Sequence, residues 1–124
     1  MRRLSGFTLI ELMVVMAIIA TLLAIAMPRY FSSLESSQEA SLRQTLFVVR
    51  DSLDKHYGDT GRYPDSLAEL VQRRYLRAMP VDPITESSDT WLILPPPPGV
   101  PGTVGDLRSG AEGRGRDNTP YSEW

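Results

Sequence analysis

From Phe7 to Met27 the only polar positions are Thr8, Glu11 and Thr21, and only Glu11 is charged. Read as a helix rising about 1.5 Å per residue, the stretch measures roughly 31 Å, enough to cross a hydrocarbon core. Pro28 follows at once; it removes one helix hydrogen bond and predicts a kink or a local opening. The pattern then changes without stopping. Tyr30, Leu34, Leu42, Leu46, Val49, Leu53 and Tyr57 recur at three- and four-residue steps or their multiples, interrupted by Gln38. That is one face of an amphipathic helix, with Glu35, Glu39, Arg43, Arg50 and Lys55 largely off it. The two halves together predict a rod of about fifty residues, or roughly 75 Å. Such a rod is too long for so small a chain to bury. It needs a membrane at one end and a domain, or further copies of itself, along the rest.

Beyond the rod the signals shorten. "YGDTGRYP" should stop the helix, with Gly58, Gly61 and Pro64 as breakers. "SLAEL" predicts a short helix with Ser66 and Glu69 as a capping box and Leu67, Leu70 and Val71 on one face. Pro80 and Pro83 make "MPVDPI" extended or turning. "TWLIL", Thr90 to Leu94, reads as a strand, and Val104 to Arg108 as a second strand able to pair with it. Between them "PPPPGVPG" reads as a stiff polyproline-like connector. The tail is glycine-rich and polar, with Tyr121 and Trp124 as anchors back onto the domain. The expected fold class is α+β: a long N-terminal helix kinked at Pro28, a short helix and a small antiparallel sheet. The expected segments are 1–6, 7–28, 29–58 and 59–124.

The 124 residues suit one small domain plus an appendage. Thirteen basic and fifteen acidic side chains give no clustered basic face for nucleic acid. The chain has no cysteine, so the domain must be held by packing, a metal or its neighbours. Nothing reads as an enzyme. His56 is the sole histidine, and Asp54, Lys55 and Asp59 around it form no ligand set of known spacing, so a surface or semi-buried structural role is expected. Asp65, Glu69 and the Asp82-Pro83 turn fit capping and turn chemistry. Arg73, Arg74 and Arg77 form a short basic patch suited to a solvated face or a contact with another subunit.

Glu11 decides between readings of the opening segment. Arg2 and Arg3, an apolar run and the small-residue site Ala24-Ile25-Ala26 resemble a secretory signal, which would release a soluble domain after Ala26. A charge inside the apolar core argues against that. A plain single-span anchor explains length and orientation, since basic residues stay cytoplasmic. It leaves a carboxylate in the apolar layer, at a cost of a few kcal/mol unless paired. Cleavage between Gly6 and Phe7 removes the difficulty. It creates an α-amine one helical turn from Glu11, and the two groups can pair between parallel, staggered copies. A head-to-tail contact that does not close generates a helical filament. Glu11 can also satisfy the amine of its own chain.

"GFTLIELMVVMAIIATLLAIAMPRY" closely resembles the class III signal and N-terminal helix of type IV pilins and type II secretion pseudopilins. "YGDTGRYPDSLAEL", "RYLRAMPVDPI" and a later "SG" resemble the major, G-type pseudopilin. The resemblance implies that Gly6 is recognised by a prepilin peptidase and that Phe7 is exposed and N-methylated. It implies that Glu11 neutralises the Phe7 amine of a neighbouring subunit, and that Pro28 marks where the helix loosens in the filament. It implies a structural subunit, not an enzyme, anchored by a single pass in the bacterial inner membrane with its C-terminal domain periplasmic. The implied partners are copies of the chain, the peptidase, an inner-membrane assembly platform and minor pseudopilins. A surface pilin for adhesion or motility shares the same N-terminal logic. The chain departs from the family pattern after "DP", where Ile84 to Ser88 replace an aromatic and a glycine, and at the added run Pro95 to Pro98. The family's C-terminal loop often binds calcium. The corresponding loop here, Arg108 to Asp117, offers Glu112 and Asp117 beside Asn118, and it fits a solvated glycine loop as well.

Overall fold

The structure, a computed structural model, describes residues 5–124; Arg2 and Arg3, which carry the expectation of orientation, lie outside the described residues. Helix α1 spans Leu9–Thr60 and α2 spans Leu67–Gln72. Strands β1, Leu92–Leu94, and β2, Asp106–Arg108, pair antiparallel with Ile93 opposite Leu107, and a 3-10 turn at Tyr121–Glu123 follows. The expected α+β layout is present. The chain divides into two compact units, one ending at Glu35 and one running from Ser36 to Trp124.

In the first unit α1 continues as α-helix across Pro28, without the local opening expected there. Every described residue of this unit is exposed, including all the large apolar ones.

The second unit is built against the C-terminal half of α1. The stripe it buries is Glu39, Leu42, Leu46, Val49, Leu53 and His56, with Ser52 beside it. Those steps alternate three and four, the spacing of a single helix face. The face is therefore displaced from the expected one. Glu39 and His56 are on it, whereas Tyr57 is 40 % exposed and stacks on Tyr63 with ring centroids 4.9 Å apart. Leu67, Leu70, Leu76, Trp91, Val104, Leu107, Ala111 and Tyr121 complete the core, with Trp124 packed partly against it.

Gly58 does not stop α1. The helix ends at Gly61, whose φ of 74° provides the left-handed cap and whose amide donates to Tyr57 O at 2.8 Å. Ser66 caps α2 as expected, accepting from the Glu69 amide at 3.2 Å, but the Glu69 carboxylate reaches one residue further back, to the Asp65 amide at 2.7 Å. The proline run is not a straight connector. It folds at Pro97 to Gly99, where Val100 N donates to Pro97 O and Gly99 has a φ of 85°. This lets the two short strands meet, and Gly105 N extends their ladder to Leu94 O.

Asp82 does more than turn the chain. Its carboxylate is fully buried, accepts from the Ile84 amide at 2.8 Å and the Thr85 amide at 3.4 Å, and takes the Ser109 hydroxyl at 2.5 Å. One side chain thus ties the 82–87 loop to the exit of β2. Gly110 beside it is obligatory, because a Cβ there would overlap Thr90 O.

Asp82→Ala would leave these donors buried and unpaired and should lower unfolding stability by about 2–4 kcal/mol, measured by denaturant titration of the full chain. The Glu69 carboxyl is held below its ordinary range, first by the Asp65 amide and further by Arg73, His56 and Arg62, with burial opposing. Because the folded value is the lower one, Glu69 contributes stability above its unfolded pKa of about 4.3 and loses it as pH falls through the folded value. Melting midpoints should therefore drop with acid below about pH 4.3, and Glu69→Gln should flatten part of that slope.

Candidate functional site

Glu11 lies in the first turn of α1 and is engaged within its own chain. Its Oε2 accepts from the Thr8 amide at 3.0 Å, while the Thr8 hydroxyl accepts from the Glu11 amide at 3.2 Å. This reciprocal pair is a capping box, and it places a carboxylate at the positive end of the helix. Glu11 thus satisfies the Thr8 backbone amide in the uncleaved chain. Gly6 and Phe7 precede the helix without regular structure; Phe7 is 91 % exposed, and a Cβ at Gly6 would meet nothing within 4 Å. Thr8-x-x-Glu11 carries the same sequence signature as Ser66-x-x-Glu69, so this cap is legible in the sequence.

The C-terminal loop is held differently from expectation. Asp117 Oδ1 accepts from the Thr119 hydroxyl at 2.6 Å and the Thr119 amide at 3.1 Å, and Oδ2 lies 3.6 Å from the Arg43 guanidinium. Those bonds, the Thr119 hydroxyl first, hold the Asp117 carboxyl below its usual range. Glu112 is exposed, and no group of three or more His, Cys, Asp or Glu side chains converges among the described residues. The proposed calcium ligands Glu112 and Asp117 therefore do not fit a calcium site: the ion needs six to eight oxygens, and Asp117 is bonded to protein donors and a cation.

Among the described residues no catalytic constellation forms around His56. It is 1 % exposed, more deeply buried than expected. Its Nδ1 lies 2.8 Å from Arg62 O, a carbonyl that can only accept, so Nδ1 carries the hydrogen. Nε2 is buried without a hydrogen bond, 3.7 Å from Glu69 Oε1. An open groove of about 660 Å³ runs between α1 and the C-terminal segment, lined among others by Arg43, Phe47, Arg50, Asp117 and Trp124. None of these is an activated nucleophile.

Comparison with known proteins decides the family. Residues 1–27 match the family described as the prokaryotic N-terminal methylation motif. The chain is 29 % identical to type II secretion system core protein G of Klebsiella pneumoniae over 140 aligned positions, covering 100 % of this chain and 96 % of that protein. It is 32 % identical to core protein G of Pseudomonas aeruginosa, covering 94 % and 92 %. The chain belongs to the type II secretion system core protein G family. Its similarity to a type IV major pilin of Myxococcus xanthus, 35 % identical, covers 55 % of this chain and 31 % of the pilin. No solved structure matches the chain at a significant level.

Within this core protein G chain, α1 is long and apolar enough to cross a membrane. Residues that sequence reasoning missed are Thr8 as cap, and Glu39 and Arg50 as ties to the C-terminal segment. Thr8→Val removes the cap. It should speed hydrogen exchange of the Glu11 amide about fivefold, read by NMR in detergent micelles, while the melting of residues 36–124 stays unchanged.

Proposed function

We propose that this chain is a structural subunit of a pseudopilus that drives protein export through the type II secretion system. The observation that carries this reading is the helix segment from Leu9 to Met27, exposed along its length and apolar except for Glu11 and Thr21. Such a surface requires a bilayer in the stored subunit and other copies of itself in a filament. The methylation motif covers this same segment. Core protein G similarity over nearly the whole chain favours the secretion reading over a surface pilin, whose similarity covers only part of it.

In this reading residues 1–6 are a leader removed by prepilin peptidase between Gly6 and Phe7, and Phe7 is N-methylated. Residues 7–28 are the membrane and filament-core helix, residues 29–58 continue it, and residues 59–124 lie in the periplasm. The exposed Gly6–Phe7 junction supports the cut. Glu11 then pairs with the Phe7 amine of a neighbouring copy, giving up its bond to the Thr8 amide. Pairing two groups that are each expensive in lipid fixes the axial stagger. Pro28, already lacking one helix hydrogen bond, is where α1 loosens on assembly. The chain's part is mechanical, and the assembly platform and minor pseudopilins act on it.

Mass spectrometry of the purified protein should find a mature chain that begins at methylated Phe7. A chain beginning at Met27 would establish release of a soluble domain instead. Glu11→Ala should be processed and inserted normally yet give at least tenfold less sheared filament, the cost of one unpaired group in lipid being a few kcal/mol. Normal filaments from that variant would remove the register role of Glu11.

A further inference from the structure

The C-terminal segment folds back onto α1 through three charged side chains that the assembly reading does not use. Glu39, 6 % exposed, points Oε1 at the Arg116 amide at 2.8 Å and receives the Tyr121 hydroxyl at 3.4 Å. Arg50, one long helical stretch further on, is a fork. Its Nη2 donates to the main-chain oxygen of Trp124 at 2.6 Å and to Leu107 O at 3.0 Å, and its Nε donates to Asp106 Oδ1 at 2.9 Å. Arg43 lies between them, with its guanidinium 4.3 Å over the Trp124 ring and 3.6 Å from Asp117. Trp124 Nε1 donates to the Thr119 hydroxyl, which itself donates to Asp117.

The loop's own carbonyls are engaged as well. Gly113 O, Gly115 O, Asn118 O and Thr119 O accept from Tyr121 N, Asn118 N, the Arg114 guanidinium and Gly115 N. A divalent cation drawn to this loop would have to displace these donors and face Arg43. We infer that the C-terminal segment of this chain is locked by the built-in clamp Glu39–Arg43–Arg50 in place of a metal ion, so that its folding does not depend on calcium. The Arg43–Asp117 pair is exposed and contributes little alone. Its part is to occupy Asp117. The holding comes from buried Glu39 and from the forked Arg50, because charge-assisted hydrogen bonds are the strong ones. The clamp's three members stand at positions 39, 43 and 50, one side of α1, so a single rigid element aligns them.

The test uses the full chain in detergent micelles. Titration with calcium chloride should give no saturable heat, and melting midpoints in excess calcium and in excess chelator should agree within about 1 °C, far less than the several degrees that a ligand at a hundredfold its dissociation constant produces. Glu39→Ala should speed exchange of the Arg116 amide at least about tenfold, equally with and without calcium. Should that variant not fold, Arg50→Gln provides the second reading, through faster exchange of the Trp124 indole N–H. A saturable calcium isotherm, or a midpoint raised by calcium, would overturn the inference. Unchanged exchange in both variants would overturn the clamp.

Discussion

Everything in the 36–124 unit depends on one face of α1. Leu42, Leu46, Val49 and Leu53 are each at most 2 % exposed, and burying each contributes about 1.5–3 kcal/mol. The elements that bury them could not stand alone. A six-residue helix is far below the length at which helices persist in water, and a pair of three-residue strands is marginal. With no cysteine to staple the loops, the long helix supplies the fixed surface on which turns and short strands assemble.

Polar side chains at the ends and middle of that face then decide where the loops go. Glu39 takes the C-terminal loop, Ser52 donates to Tyr75 O at 3.1 Å, and His56 holds Arg62 O just past the helix end. Away from α1 the same logic recurs at Asp82, where a buried carboxylate gathers two amides and a hydroxyl. Beyond α2 the only regular elements are two three-residue strands and a 3-10 turn, so few backbone groups there are paired by regular structure. Side-chain acceptors take over the task of satisfying buried amides.

The other unit obeys the opposite rule, with apolar surface left outward and the one charge of its apolar span, Glu11, held by a cap. The Thr8–Glu11 bonds give the carboxylate a hydrogen-bond donor within its own chain. In the proposed filament a neighbour's amine must compete with that cap. In that proposal, exchanging one hydrogen-bonded state for another lets the same residues serve storage and assembly.

What the residues alone determined is whatever local periodicity and motif carry: the apolar span, the continuing helix, the Ser66 cap, the two pairing strands and the family resemblance through Gly6, Phe7 and Glu11. Each depends on neighbours a few positions apart, and the same physics acts wherever the chain goes. The buried face of α1 was misplaced by part of a turn, since Glu39 and His56 look like surface residues until Arg116, Tyr121 and Arg62 arrive from far along the chain. Against the calcium expectation stands a like observation: Asp117 looks like a ligand in the sequence, and only the return of the tail places Thr119 and Arg43 against it. The proline run could be read as rigid but not as turning, because the reversal is set by the strands it joins. Tertiary structure decided these points because they depend on which distant donor reaches a buried acceptor.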